Sequence, residues 1–151
     1  MARIIREDRV PYPNTINVIH NLGTPLENGQ ILGVKGFATG ERELYEVGTY
    51  AEGDMIAILT AATLQYDERK DERDYVLEKG KAGKANYLQK GEVYTIAKDL
   101  VHGSPVVGDK LLVTTSANKF EKSSDGNGAV AIIRRVDVTF GGQESVTIEV
   151  L

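Results

Sequence analysis

Apolar and polar residues alternate with a period of two along much of the chain, most clearly near its end. In VDVTFGGQESVTIEVL, Val136, Val138 and Phe140 alternate with Asp137 and Thr139, and Val146, Ile148 and Val150 alternate with Ser145, Thr147 and Glu149. Successive strand residues point to opposite faces, so both runs turn their apolar side chains to one face. Gly141–Gly142 between them accepts the positive φ of a tight hairpin turn. Upstream, QILGVKGFA leads into ELYEVGTYA across TGERE, a second hairpin. DMIAILTA is a nearly continuous apolar run, as expected of a strand buried on both faces. The turn clusters SSDGNG at 123–128 and TSANK at 115–119 divide the C-terminal third into about four short antiparallel strands. No long apolar stripe of helical period occurs, and the best helix candidate, around residues 62–79, is weak.

Four stretches share one shape: ENGQILGV at 27–34, AEGDMIAI at 51–58, QKGEVYTI at 89–96 and VVGDKLLV at 106–113. Each has a glycine, then an acid or amide, then an apolar run. The gaps between Gly29, Gly53, Gly91 and Gly108 are unequal, which argues against a solenoid repeat. The shape reads as a turn followed by a strand, with the polar side chain bonding nearby backbone. Residues 1–29 are interrupted by Pro11, Pro13 and Pro25 and read as an irregular or extended N-terminal arm. Residues 30–151 read as a single mostly-β domain, a small antiparallel barrel or sandwich, with a charged loop insert at about 64–90.

That insert contains DERKDERD at 67–74, every residue charged, bracketed by Tyr66 and Tyr75. Such a run cannot form a core, so it faces water or a partner. On a helix its four-residue repeat would stack like charges, which favours an extended or looped form. Asp67, Glu68, Asp71, Glu72 and Asp74 hold enough oxygens for a metal, but Arg69, Lys70 and Arg73 compete for them. The calcium-loop spacing is also missing, so no metal site is expected. The glycine- and lysine-rich EKGKAGKAN that follows is expected to be mobile or draped over another surface.

Charge and chemistry narrow the picture. The chain has 151 residues, 18 basic and 22 acidic, for a net charge of −4. One domain fits that length, and the acidic balance does not favour nucleic acid as the partner. Cysteine is absent, which excludes disulfides and thiolate metal sites. No apolar run approaches the ~20 residues that span a bilayer, and MARIIREDRVPYPN lacks a secretory apolar core. No membrane contact or export is expected. His20 and His102 stand in no metal-binding spacing, and His102 precedes Ser104 without a nucleophile elbow. No phosphate-loop or dinucleotide motif occurs, and tryptophan is absent. Neither an enzyme nor a cofactor is expected, and no catalytic residue is assigned.

The order YDER, DYVLEKGKAGKANYLQKGEVYTIAKD, GSPVVGDKLLV and AVAIIRRVDVTFGGQESVTIEVL resembles a family of tailed phages of Gram-positive hosts. These small proteins, encoded near the major capsid gene, look like head decoration, or cement, proteins. The resemblance covers roughly residues 64–151. It rests on the Leu-x-Lys-Gly-acid start at Leu88–Glu92, the turn at Pro105–Asp109 and the ending VTIEVL. It implies a β-rich structural protein without an active site, made in the host cytoplasm and placed on the capsid exterior of the virion. Its partner would be the major capsid protein, with neighbouring copies of itself as a second. The expected contact residues are Arg3, Arg6, Arg9 and Tyr12 on the arm, and Tyr66, Arg69, Arg73 and Tyr75 on the insert. The nearest alternative is another virion β-barrel, such as a head-completion or tail-tube subunit.

Overall fold

The structure, a computed structural model, describes residues 6–9, 15–40, 42–60, 76–114, 118–138 and 144–151. In chain order the strands are β1 (Arg6–Arg9), β2 (Thr15–His20), β3 (Leu26–Glu27), β4 (Ile31–Phe37), β5 (Leu44–Gly48), β6 (Met55–Leu59) and β7 (Val76–Leu77). There follow β8 (Gly83–Tyr87), β9 (Val93–Ala97), β10 (Val101–His102), β11 (Lys110–Val113), β12 (Phe120–Lys122), β13 (Ala131–Val138) and β14 (Glu144–Val150). One 3-10 turn, Lys98–Leu100, interrupts them. The fold is mostly β, as the alternation predicts. Strands β2-β5-β4-β6-β8 close into a barrel, β1-β9-β14-β13-β11-β12-β10 form a seven-stranded sheet, and β3 pairs with β7 as a short ribbon.

The barrel interior follows from period-two alternation. Leu32 faces Ala57 across β4 and β6, and Val18, Val47, Leu59 and Ala85 complete the lining. The opposite parity of the same strands serves a second core. Ile31 and Ile58 face each other on the outside of the barrel and pack into the sheet's core beside Tyr94, Ile96, Leu100 and Ile148. Barrel and sheet therefore share buried side chains. One end of the barrel is plugged by the β3–β7 ribbon, whose Leu26 and Leu77 are buried among the lining residues.

Two expectations about chain organisation are corrected. The division at residue 29 falls inside the barrel, because β2 pairs in parallel with β5 and antiparallel with β8. Its inward residues Ile16, Val18 and His20 alternate correctly, but flanking prolines mask so short a run. Within the N-terminal segment, Arg6–Arg9 forms the edge strand of the large sheet against β9. The stretch EKGKAGKAN is not draped over the surface, since β8 inside it is a barrel stave with Ala85 and Asn86 buried. Its inward residues include Gly83 and Ala85, too small to register as a hydrophobic pattern. Glycine at 83 is a packing requirement: a Cβ there would lie 2.8 Å from Leu77 Cδ2.

The C-terminal hairpin forms from β13 and β14, with Val136 opposite Val146 and Ile133 opposite Ile148. A bulge between Ile133 and Arg135 keeps the apolar face inward on both sides of it. Its turn at Gly141–Gly142, Phe140, and the helix candidate's residues 62–75 lie outside the described residues. Not every pairing is antiparallel: β10 joins β12 in parallel, as β2 joins β5.

The four glycine-acid stretches adopt one geometry. In each turn the first residue's N–H donates to the fourth residue's side chain. These bonds are Glu27 to Gln30 Oε1 at 2.7 Å, Ala51 to Asp54 Oδ2 at 3.0 Å, Gln89 to Glu92 Oε1 at 2.7 Å and Val106 to Asp109 Oδ2 at 2.9 Å. The fourth residue's N–H returns a bond to the first carbonyl, at 3.0 to 3.2 Å. The third residue is Gly29, Gly53, Gly91 or Gly108, with φ of 88°, 94°, 89° and 94°. A positive φ at that position alone defines a type II turn, which disfavours any residue with a Cβ. The doublets are thus turn caps, as the residues suggest, and they stiffen the strand starts that follow.

Candidate functional site

Among the described residues, nothing plugs the end of the barrel opposite the ribbon. Strand β4 ends there, β5 and β6 begin there, and β8 ends there, since these neighbours are antiparallel. The inward face carries on to the ends of these strands, on β4 by way of a bulge between Val34 and Gly36, which places four large side chains at the opening. Phe37 faces Tyr45, Val34 faces Met55, and Ala57 faces Tyr87 in register. The Phe37 and Tyr45 rings stack with centroids 4.6 Å apart, and Tyr87 meets Tyr45 edge-on at 6.2 Å. Burial, and then a hydrogen bond with the Tyr45 hydroxyl, hold the Tyr87 phenol above its ordinary pKa. Phe37 is nevertheless 58% exposed and Met55 59%.

Next to the mouth a cleft of about 290 Å³ separates barrel from sheet. Met55 and Tyr87 belong to both features, and Ile56, Leu88, Val130 and Leu151 add an apolar floor and wall. Leu151 is 47% exposed. Charge at the rim is nearly cancelled. Lys35 pairs with Asp54, and this bond, followed by the one from the Ala51 N–H, lowers the Asp54 pKa. Lys90 also lines the cleft and makes no ion pair among the described residues. Exposed aromatic rings and methionine are enriched at protein contact surfaces relative to ordinary exterior.

His20 and Asn86 are buried polar side chains of the barrel strands. His20 is 2% exposed. Its Nε2 donates to the Leu77 carbonyl at 2.7 Å, and its Nδ1 accepts from the Leu22 N–H at 3.1 Å. The ring thus ties β2 to the ribbon. Toward the mouth end of β8, Asn86 faces away from the lumen and accepts from the Thr15 hydroxyl at 2.9 Å. His102 and Ser104 are exposed at and after β10. Among the described residues no group of three His, Asp or Glu could hold a metal ion.

Of the contact residues expected from sequence, Arg6 and Arg9 lie on β1, opposite Thr95 and Val93 of β9. Arg3, Tyr12, Tyr66, Arg69, Arg73 and Tyr75 lie outside the described residues. The residues of the mouth were missed. Phe37 and Tyr45 flank the TGERE connection symmetrically, a signal of facing positions, but nothing in the period shows that this barrel end is open. Compared with known proteins, the chain matches no protein-family model and no curated relative.

Proposed function

We propose that the protein is a structural virion component that binds the outer surface of a phage capsid and stabilises the shell. The observation that carries this reading is the barrel mouth: stacked, half-exposed aromatic rings and Met55, continuous with an apolar cleft. Exposed apolar area of this kind marks surfaces that become covered. The frame behind it shares one core with the large sheet, so little ordering cost attends docking. The resemblance of roughly residues 64–151 to decoration proteins supplies the identity of the partner, the major capsid protein. An acidic exterior at net −4 suits the outside of the shell better than its DNA-filled lumen. Many copies on a repeating lattice would add avidity to a modest single contact.

The edges of the seven-stranded sheet, β1 and β10, favour a second reading as a tail-tube or head-completion subunit, since such subunits assemble by joining sheets. Cosedimentation of the purified protein with undecorated, expanded capsids tests the first reading. Saturable binding is expected. Absence of binding at micromolar protein overturns it, and rings or tubes formed by the protein alone would establish the second.

A further inference from the structure

Asparagine followed by glycine occurs twice in the chain, at Asn28–Gly29 and Asn127–Gly128. In such a pair the glycine nitrogen can attack the asparagine amide carbon, because no Cβ on the second residue stands in the way. The N–Cγ bond forms, the Cγ–Nδ2 bond breaks, and the glycine N–H proton leaves with the side-chain nitrogen as ammonia. Water then opens the succinimide at either carbonyl, giving aspartate or isoaspartate. The reaction needs a glycine N–H that is released from hydrogen bonding and room for the ring to close.

The fold treats the two pairs in opposite ways. Asn28 is 4% exposed. The Gly29 N–H donates to the Leu59 carbonyl at 2.9 Å, and a Cβ on Gly29 would lie 2.8 Å from Leu100 Cδ1. Ring closure at Asn28 therefore requires the junction of barrel and sheet to open. Asn127 and Gly128 are exposed, in the connection from β12 to β13. A Cβ on Gly128 would meet nothing within 4 Å, and the Gly128 N–H makes no hydrogen bond among the described residues. The bonds of this loop fall on its neighbours. The Gly126 N–H donates to Ser123 Oγ at 2.9 Å, and Asn127 donates from its N–H and its Nδ2 to the Asp125 carboxylate at 2.9 and 3.0 Å.

We propose that Asn127 is a site of spontaneous deamidation in the folded protein, through a succinimide with Gly128, and that the fold protects Asn28. The change is one-way and adds a negative charge to a chain already at −4. It also replaces the Nδ2 donor with a carboxylate facing Asp125, so like charges repel where a clamp stood.

The test holds folded wild type, wild type in guanidinium and folded Asn127→Gln in mildly alkaline buffer for several weeks, then maps tryptic peptides by mass spectrometry. Peptide Ser123–Arg134 has Asn127 as its single side-chain amide, and Val10–Lys35 carries Asn28. In folded protein Asn127 should convert at least roughly tenfold faster than Asn28, a gap that reports how rarely the junction opens. In guanidinium the two rates should agree within about threefold, since only local sequence then controls them. Isoaspartate should accompany aspartate at position 127, and native isoelectric focusing should show acidic species that are largely absent from Asn127→Gln. Equal rates in folded protein, or an Asn127 that stays intact while the unfolded chain reacts, overturns the inference. So does a gap that persists undiminished in guanidinium, or aspartate formed without isoaspartate, the product of direct hydrolysis.

Discussion

The plug at the closed barrel end can be tested through Gly83. This residue sits on β8 opposite Val18, and a Cβ on it would lie 2.8 Å from Leu77 Cδ2 and 2.9 Å from Cδ1. Leu77 is buried on the ribbon among the lining residues of the barrel. In Gly83→Ala two effects oppose. Alanine lowers the conformational entropy of the unfolded chain relative to glycine, which favours folding by about 0.5–1 kcal/mol. Forcing a methyl into a filled core costs about 1–3 kcal/mol. The clash should win, with a net loss of roughly 1–2 kcal/mol. Leu77→Ala alone empties the plug and should cost about 2–5 kcal/mol. In the double variant the new methyl occupies space that Leu77 vacated, so the clash disappears. The pair should then be less destabilising than the sum of the singles by about 1–2 kcal/mol. Urea unfolding of the four proteins, followed by far-ultraviolet circular dichroism, measures this coupling. Additivity within about 0.5 kcal/mol would mean that Leu77 does not pack on Gly83 and that the ribbon does not close the barrel.

His20→Ala removes a donor to the Leu77 carbonyl and an acceptor for the Leu22 N–H. It should cost about 2–4 kcal/mol in the same unfolding assay, because partners at a buried site are left unsatisfied; a loss near zero would contradict the tie between β2 and the ribbon. Asp54→Asn should reduce stability at neutral pH by removing the charged partner of Lys35 and the strongest acceptor for the Ala51 N–H. The Asp54 pKa is lowered from its ordinary 3.8, so its contribution is present above that value and is lost as pH falls through the folded pKa. The difference between wild type and variant in urea midpoint should therefore shrink in the acid range below that value, and a pH-independent difference would refute the assignment.

The fold was legible where side-chain size and period agree. Val146, Ile148 and Val150 announce one face of β14, and the structure buries all three. Gly-acid pairs announce turns, and the side chain of the fourth residue caps each one. Strands β2 and β8 escaped because their signals are local and weak. The alternation of β2 spans six residues between prolines, and β8 turns glycine and alanine inward, which carry almost no hydropathy. The parallel junctions β2–β5 and β10–β12 were not legible for a different reason. A period of two says which face a side chain takes, not which strand lies beside it. That choice is made by long-range packing, which no local pattern records.

The candidate site was illegible for a related reason. Tyr45, Met55 and Tyr87 occupy the same parity as Val47, Ala57 and Ala85, so from sequence they read as more core, whereas Phe37, five residues after Leu32, reaches that face only through the bulge between Val34 and Gly36. Whether an inward position at a strand's end is core or surface depends on whether something closes that end. At one end Leu26 and Leu77 do so, brought there by the ribbon. At the other, stacking of Phe37 on Tyr45 and of Tyr45 against Tyr87 shields part of each ring but leaves Phe37 and Met55 more than half exposed. Two differently treated ends of one barrel are hard to explain by stability alone, because a second pair of leucines would bury more area at about 25 cal/mol per Å². An open end lined with rings and methionine suits a barrel whose remaining hydrophobic surface is completed by another protein. The search for contact residues therefore belongs at the termini of inward-facing strands as much as in charged loops, where Arg69 and Arg73 drew attention by composition alone.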